Sequence, residues 1–270
     1  MYKQMKHKLV PLLIICSLIL TFLCSCGQEK EDNTEYVAVV SAMDNEIDLL
    51  IKEAEIDRVD KISEENYYVG KLSGKPVVIV KSGIGKIRAA SVITSLFDNY
   101  KISKLIFTGI AGGVADEVKV LDEVVATRLL EHDYGIMSNE GFVWRSGDPG
   151  FGNQDGVYYF CDSEMVELAY SAAVSVVGED RSFKGTIATG DQFIASEEYV
   201  ERLSRDHDAY ACEMEGAAVA VVCIKYRVPF VVIRAMSDKA DGNAHESYEN
   251  FGDIAANNSS RIVIKLLQSL

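Results

Sequence analysis

Short, wholly apolar runs separated by stretches of helical periodicity constrain this chain more than any other feature. Tyr36-Val-Ala-Val-Val40, Lys104-Leu-Ile-Phe-Thr108, Asp208-Ala-Tyr-Ala-Cys212 and Pro229-Phe-Val-Val-Ile-Arg234 read as buried strands, with further strands over Asp122–Thr127 and Ser182–Ala188. Between them Ile47, Leu50, Ile51 and Ala54 recur at helical spacing, and the same period marks Ile87–Tyr100, Glu164–Val177, Gly216–Tyr226 and Tyr248–Leu267. Ser196 reads as the N-cap of a helix over Glu197–Arg205. Tyr67–Leu72 and Pro76–Lys81 flank Ser73-Gly74-Lys75 and read as a hairpin, while the Gly-, Asp- and Asn-rich segment Asn139–Gly156 reads as a loop. Strands alternating with helices predict a three-layer α/β domain around a mixed sheet, with no internal repeat.

Three carboxylates, Glu46, Glu215 and Asp238, each follow one of the buried runs. In open α/β sheets ligands bind outside the carboxyl ends of the strands, so acids far apart in sequence converge on one cleft. Several acids with few candidate nucleophiles suit hydrolysis through a cationic, oxocarbenium-like transition state. Taken singly, Glu46 could equally be an acid favoured at a helix N-terminus, and Asp238 a surface-loop acid beside Lys239 and Asp241.

The N-terminus has a different composition. Lys3, Lys6 and Lys8 precede the apolar run Leu9–Leu23, which has signal-peptide length and is short for a membrane-spanning helix. Leu23-Cys24-Ser25-Cys26-Gly27 resembles the lipobox of bacterial lipoproteins, with Cys26 as the lipidated residue; an uncleaved anchor is the alternative. Residues 1–25 are thus expected to be a lipoprotein signal peptide, 26–35 a polar tether, and 36–270 the catalytic domain. The chain would be exported and lipid-anchored to a membrane. The formal charge is -14, and losing a lysine-bearing leader makes the rest more acidic, which argues against nucleic acid as a partner. Cys161, Cys212 and Cys223 lie outside the leader, an odd number with no close pairing, and Cys212 and Cys223, in apolar runs, read as buried thiols rather than disulfide partners. His132-Asp133, His207 and His245 lack metal-ligand spacing, so no metal site and no cofactor is expected.

Six segments, in order, carry a resemblance: Ser41-Ala-Met-Asp-Asn-Glu46, Lys81-Ser-Gly-Ile-Gly-Lys86, Thr108-Gly-Ile-Ala-Gly-Gly113, Thr189-Gly-Asp-Gln-Phe-Ile194, Glu213-Met-Glu215 and Arg234-Ala-Met-Ser-Asp238. Together they resemble the nucleoside phosphorylase superfamily and, within it, the 5'-methylthioadenosine/S-adenosylhomocysteine nucleosidases. The resemblance implies a three-layer α/β/α sandwich with a central mixed β-sheet and release of adenine from a 5'-substituted nucleoside. It matches Glu46 to the general base acting on water and Asp238 to the general acid at adenine N7, with Ser237 orienting it. A solution-like Asp would be a poor acid at neutral pH, so the site must raise its pKa. Glu215 matches the residue that holds the ribose hydroxyls, and Met214 the one packed on sugar and base. Phe193 is expected to stack on adenine, Ile194 to offer backbone groups to the base edge, and Gly112 to let the backbone approach closely. Met43, Ile84, Ile110, Ile136 and Tyr248 would line the sugar and 5'-arm pocket. Tyr248 stands where the family pattern has Phe, and Tyr134-Gly135-Ile136 also departs from it. A homodimer whose neighbour closes the 5' end is implied too.

Two other functions fit the same sequence. A phosphorylase would need cations for phosphate, yet no arginine ends Leu105-Ile-Phe-Thr108, and Lys86 and Arg88 read as solvent-facing helix charges. A nucleoside-binding lipoprotein without catalysis would be expected to lack one of the three acids, and all three are present.

Overall fold

The architecture follows from strand alternation. In this computed structural model, which describes residues 33–144 and 158–270, consecutive residues of each central strand feed two separate cores. The expected leader, Cys26, most of the tether and part of the 139–156 loop lie outside the described residues. Ala38 and Val40 of β1 (Tyr36–Ser41) face the helices α2 (Lys86–Asn99) and α5 (Gly216–Tyr226). Val37 and Val39 face α1 (Asp44–Glu53), α3 (Ser163–Val177) and α6 (Ala244–Ser269). β4 (Lys75–Lys81), β5 (Ile102–Gly113) and β12 (Phe230–Asp238) divide their residues in the same way, so helices cover both faces of the sheet.

The sheet also contains β2 (Glu55–Ile62), β3 (Glu65–Leu72), β6 (Glu123–Glu131), β10 (Ser182–Thr189) and β11 (Ala209–Glu213), in the order β11-β10-β6-β12-β5-β1-β4-β3-β2. It is mixed: β5 pairs in parallel with β1 and β12, whereas β6 runs antiparallel to β12 and β3 to both β2 and β4. Three features differ from the sequence reading, one being that Gly141–Trp144, inside the segment read as a loop, is a strand. β2 was not expected, because its apolar Ile56, Val59 and Ile62 are spaced by three and its burial follows an edge strand. β5 does not stop at Thr108 but runs on through the glycines to Gly113. There it pairs antiparallel with β11, Ala211 opposite Gly113 and Cys212 opposite Gly112, so one half of the sheet curls back on itself. That curl carries the end of β11 to the ends of β5 and β12.

Local chemistry sets the helix starts. Ser196 caps α4 (Glu197–His207) by accepting Tyr199 N–H, as expected from sequence, and Asp162, not singled out there, caps α3 by accepting Met165 N–H. A separate ribbon, β7 (Gly135–Ser138) with β8 (Gly141–Trp144), pairs only with itself, and β9 (Tyr159–Phe160) adds to β6. Cys161, Cys212 and Cys223 are free thiols.

Candidate active site

Four acids that hydrophobic burial would normally expel meet at the curled end of the sheet: Glu46, Glu213, Glu215 and Asp238, none more than 7% exposed. Each has a distinct reason to be tolerated there. Glu46 sits in the first turn of α1 and its carboxylate is held by main chain alone: Ala42 and Met43 N–H reach Oε2 at 2.8 Å each, and Ile110 N–H reaches Oε1 at 2.9 Å. Burial nonetheless raises its pKa, against the pull of Arg234 and those three donors.

Arg234 is the counter-charge. It lies inside an otherwise apolar strand, fully buried, with its guanidinium 4.4 Å from the Phe107 ring centre. Its Nη2 donates to Glu213 Oε2 and, at 3.2 Å, to Glu215 Oε2. Gly109 leaves the space in which Arg234 and Glu46 approach, since a methyl there would overlap both the guanidinium and the carboxylate. Glu213 also accepts the N–H groups of Glu215 (3.1 Å) and Gly216 (2.7 Å), so it serves as the acid at the N-terminus of α5, where Thr189 Oγ1 accepts the Ala217 N–H at 2.9 Å. Glu215 receives Gly85 N–H at 2.8 Å. Burial first, and the Glu213 charge second, push Glu215 up to about 7.

Asp238 ends β12. Ser237 Oγ donates to its Oδ2 at 2.7 Å, and Ala240 N–H to its Oδ1 at 2.7 Å. Both contacts favour the anion, but burial outweighs them and the pKa is raised. An added methyl on Gly112 would crowd Asp238 Oδ1 and Ala240, so glycine there makes room for the Asp238 carboxylate.

These groups open onto a cavity of about 840 Å³, the open solvent at its mouth included. The buried Glu46, Glu213, Glu215, Ser237 and Asp238 form its floor, and Met43, Ile84, Ile110, Gly112, Phe193, Ile194, Met214 and Tyr248 complete the lining. Tyr248 reaches Met43 through its hydroxyl, 3.7 Å from the sulfur. Ile136 is the exception: it lies half-exposed on β7 and is not among the cavity's lining residues, because the β7–β8 ribbon pairs with itself and leaves the sheet.

Other side chains were not singled out from sequence. Arg234 and Glu213 are central, and the signal for Arg234 was an arginine inside an apolar strand, which must be paired. His245 lines the mouth with its ring centre 4.8 Å from that of Phe193; its sequence signal was its place three residues before Tyr248 on one helix. Lys86 is not the solvent-facing charge expected: its side chain is mostly buried and bonds Glu131 and Asp133, which the local helix pattern could not reveal. Among the described residues no group of three or more His, Cys, Asp or Glu is placed to hold a metal ion.

The Phosphorylase superfamily profile matches residues 36–268. The 5'-methylthioadenosine/S-adenosylhomocysteine nucleosidase of Bacillus subtilis is 37% identical over 236 residues, covering 87% of this chain and 99% of that protein. Among solved structures, the nucleosidase of the same description from Neisseria meningitidis, in complex with methylthio-immucillin-A, matches with a TM-score of 0.78 and 34% identity, over 88% of this chain and all (100%) of that one. The futalosine hydrolase of Helicobacter pylori strain 26695 matches with a TM-score of 0.77 and 28% identity, over 87% of this chain and 98% of that one.

Proposed function

This chain belongs to the phosphorylase superfamily, and from that premise we propose which of its residues carries each step of N-glycosidic hydrolysis. The enzyme cleaves 5'-methylthioadenosine and S-adenosylhomocysteine, releasing adenine and the 5'-thio sugar. The observation that carries the hydrolytic reading is the cavity lining, which holds Glu46, Glu213, Glu215 and Asp238 and no lysine or arginine among the described residues. Nearby cations are already matched, Arg234 by Glu213 and Glu215, Lys86 by Glu131 and Asp133, and Lys239 by the carbonyls of Ala115 and Val118. A phosphate would meet anions; water meets a base.

Glu46 removes the proton from the attacking water, with Arg234 beside it opposing part of the rise that burial imposes on its pKa. Glu215 accepts from the ribose hydroxyls, and its charge, with that of Glu46, favours the cationic sugar of the transition state. Asp238, its pKa raised, delivers a proton to adenine N7 as the bond to the sugar breaks. Phe193 stacks on the base and Ile194 bonds its edge, while Met43, Ile84, Ile110, Met214 and Tyr248 enclose the sugar and its sulfur-bearing arm.

The assembly proposed is a homodimer anchored outside the cytoplasm through Cys26, with Ile136 reaching the 5' end of the partner's pocket. Apolar side chains exposed near the cavity mouth and on the β7–β8 ribbon, Ile84, Ile87, Ile136 and Met137, support the pairing. The lipobox resemblance supports the anchor.

Release of the purine base, adenine from 5'-methylthioadenosine and S-adenosylhomocysteine and hypoxanthine from futalosine and inosine, with and without phosphate, tests the reading. Phosphate-independent release from the two thio-nucleosides is expected, with kcat falling about 10²–10⁴-fold in Glu46→Gln and in Asp238→Asn. Phosphate-dependent turnover would move the chain to the phosphorylases, and nucleoside binding without turnover would make it a receptor.

A further inference from the structure

One charged cluster lies outside the cavity and has no part in the steps above. Lys86, the first residue of α2, donates its Nζ to Asp133 Oδ1 at 2.7 Å and to Glu131 Oε1 at 3.1 Å. Its main-chain N–H goes to Asp191 Oδ1 at 2.8 Å, and Asp191 N–H in turn goes to Asp133 Oδ2 at 2.8 Å. The contacts close a ring: side chain of Lys86 to Asp133, Asp133 to the backbone of Asp191, side chain of Asp191 to the backbone of Lys86.

The ring spans two loops that carry different parts of the cavity. Immediately before Lys86 come Ile84, which lines the cavity, and Gly85, whose N–H holds Glu215. Immediately after Asp191 come Gln192, Phe193 and Ile194, all of which line the cavity. Asp133, just past the end of β6, uses one oxygen on each loop. Its neighbour His132 is fully buried, lies against Gly190 at the start of the second loop, and places Nδ1 2.9 Å from the Tyr199 hydroxyl of α4. Gly190 and Ser196 N–H bond the carbonyls of Glu213 and Ala240, and between those two points the Asp191 contacts steady the loop.

A solvated salt bridge would be a plainer account. Against it, the Lys86 and Asp133 side chains are 17% and 20% exposed, and each pairs a charge with a directed hydrogen bond. Reaction geometry is also sensitive to displacements of about 1 Å, which can change rates about 10²-fold. We propose that Asp133, Lys86 and Asp191 form a positioning ring that fixes the base-binding loop at a set distance from Glu215, so that sugar and base are gripped in register. The inference rests on Phe193 and Ile194 being the base site.

The test uses the full chain and reads the inhibition constant of adenine, KM and kcat for 5'-methylthioadenosine, and Tm. Asp133→Ala and Asp191→Ala should each raise the adenine constant and KM together, about tenfold, with the double variant no worse than either single, as for residues acting as one unit. A lower Tm with the adenine constant within about twofold of wild type would mark the ring as purely structural and overturn the proposal. Effects that multiply in the double variant would overturn it as well, because separate contacts add their free energies. Should an alanine variant fail to fold, Asp133→Asn keeps the volume and must still weaken adenine binding; unchanged binding overturns the ring. Phe193→Ala is the control. Adenine binding indifferent to Phe193→Ala would remove the base site and the inference with it, whereas binding lost in Phe193→Ala but kept in Asp133→Ala would overturn the ring alone.

Discussion

The floor and the mouth of the cavity are built on opposite plans. At the floor, Glu46, Glu215 and Asp238 are buried, and each carboxylate is directed by at least one main-chain N–H, with Arg234 sealed between Glu213 and Glu215. At the mouth, Phe193 and Ile84 are each 45% exposed, and Phe193 is in contact with two rings, His245 at 4.8 Å and Tyr248 at 6.4 Å. The contrast assigns work to each end. Preorganised dipoles at the floor act on charge that develops only during reaction, so their loss strikes kcat. Aromatic faces at the mouth bind substrate and transition state alike, so their loss strikes KM.

Gly109→Ala gives the hardest test of that division. The added methyl drives Glu46 and Arg234 apart, and kcat for adenine release should fall about 10²-fold or more. A Gly109→Ala enzyme that kept its kcat and lost only KM would break the contrast. Phe193→Ala should show the reverse split, with KM for 5'-methylthioadenosine rising about tenfold and kcat changing less than about threefold. The pH profile of kcat/KM sharpens the floor's side. The proposed roles need Glu46 ionised and Asp238 protonated, and burial raises the pKa of both. The acid limb should therefore lie above the ordinary glutamate value of 4.5, and the rate should fall again as pH passes the raised Asp238 value.

The smallest expected effect concerns a buried acid that has none of this support. Glu123 on β6 is fully buried, neither oxygen has a hydrogen-bond partner, and burial holds its pKa well above 4.5. The folded state then binds the proton more tightly than the unfolded state. Glu123 consequently detracts from stability as pH rises from 4.5 through its folded value, and not below. Glu123→Met should raise Tm at pH 8, by about 2–4 °C for each kcal/mol recovered, and leave Tm at pH 4 nearly unchanged. An unaltered Tm at pH 8 would mean that Glu123 has support that its surroundings do not reveal.

Much of the fold is legible in sequence because burial on both faces leaves uninterrupted apolar runs, as in Tyr36–Val40 and Pro229–Ile233. β2 escaped because an edge strand with one wet face carries little such signal, and its apolar residues mimic a helical spacing. The acids of the floor were legible through their motifs. Their electrostatics were not: Arg234 meets Glu213 across 21 residues and Lys86 meets Asp133 across 47, pairings that exist only once β11 curls onto β5 and the loops close. Glu213 stood in a recognised motif without a role, because capping α5 and neutralising Arg234 are both tertiary functions.

Met43 and Ile110 each do two jobs with different atoms. Their N–H groups fix the Glu46 carboxylate, while their side chains line the cavity, where the proposed function puts the sugar and its 5' arm. Chemistry is thus written in the backbone and selectivity in the side chain at the same positions. Substrate range can then drift, or be redesigned, through exchanges of Met43 and Ile110 that leave the reactive geometry intact. Inhibitors that depend on those side chains are open to escape by the same route, whereas those that engage the backbone-held carboxylate are not.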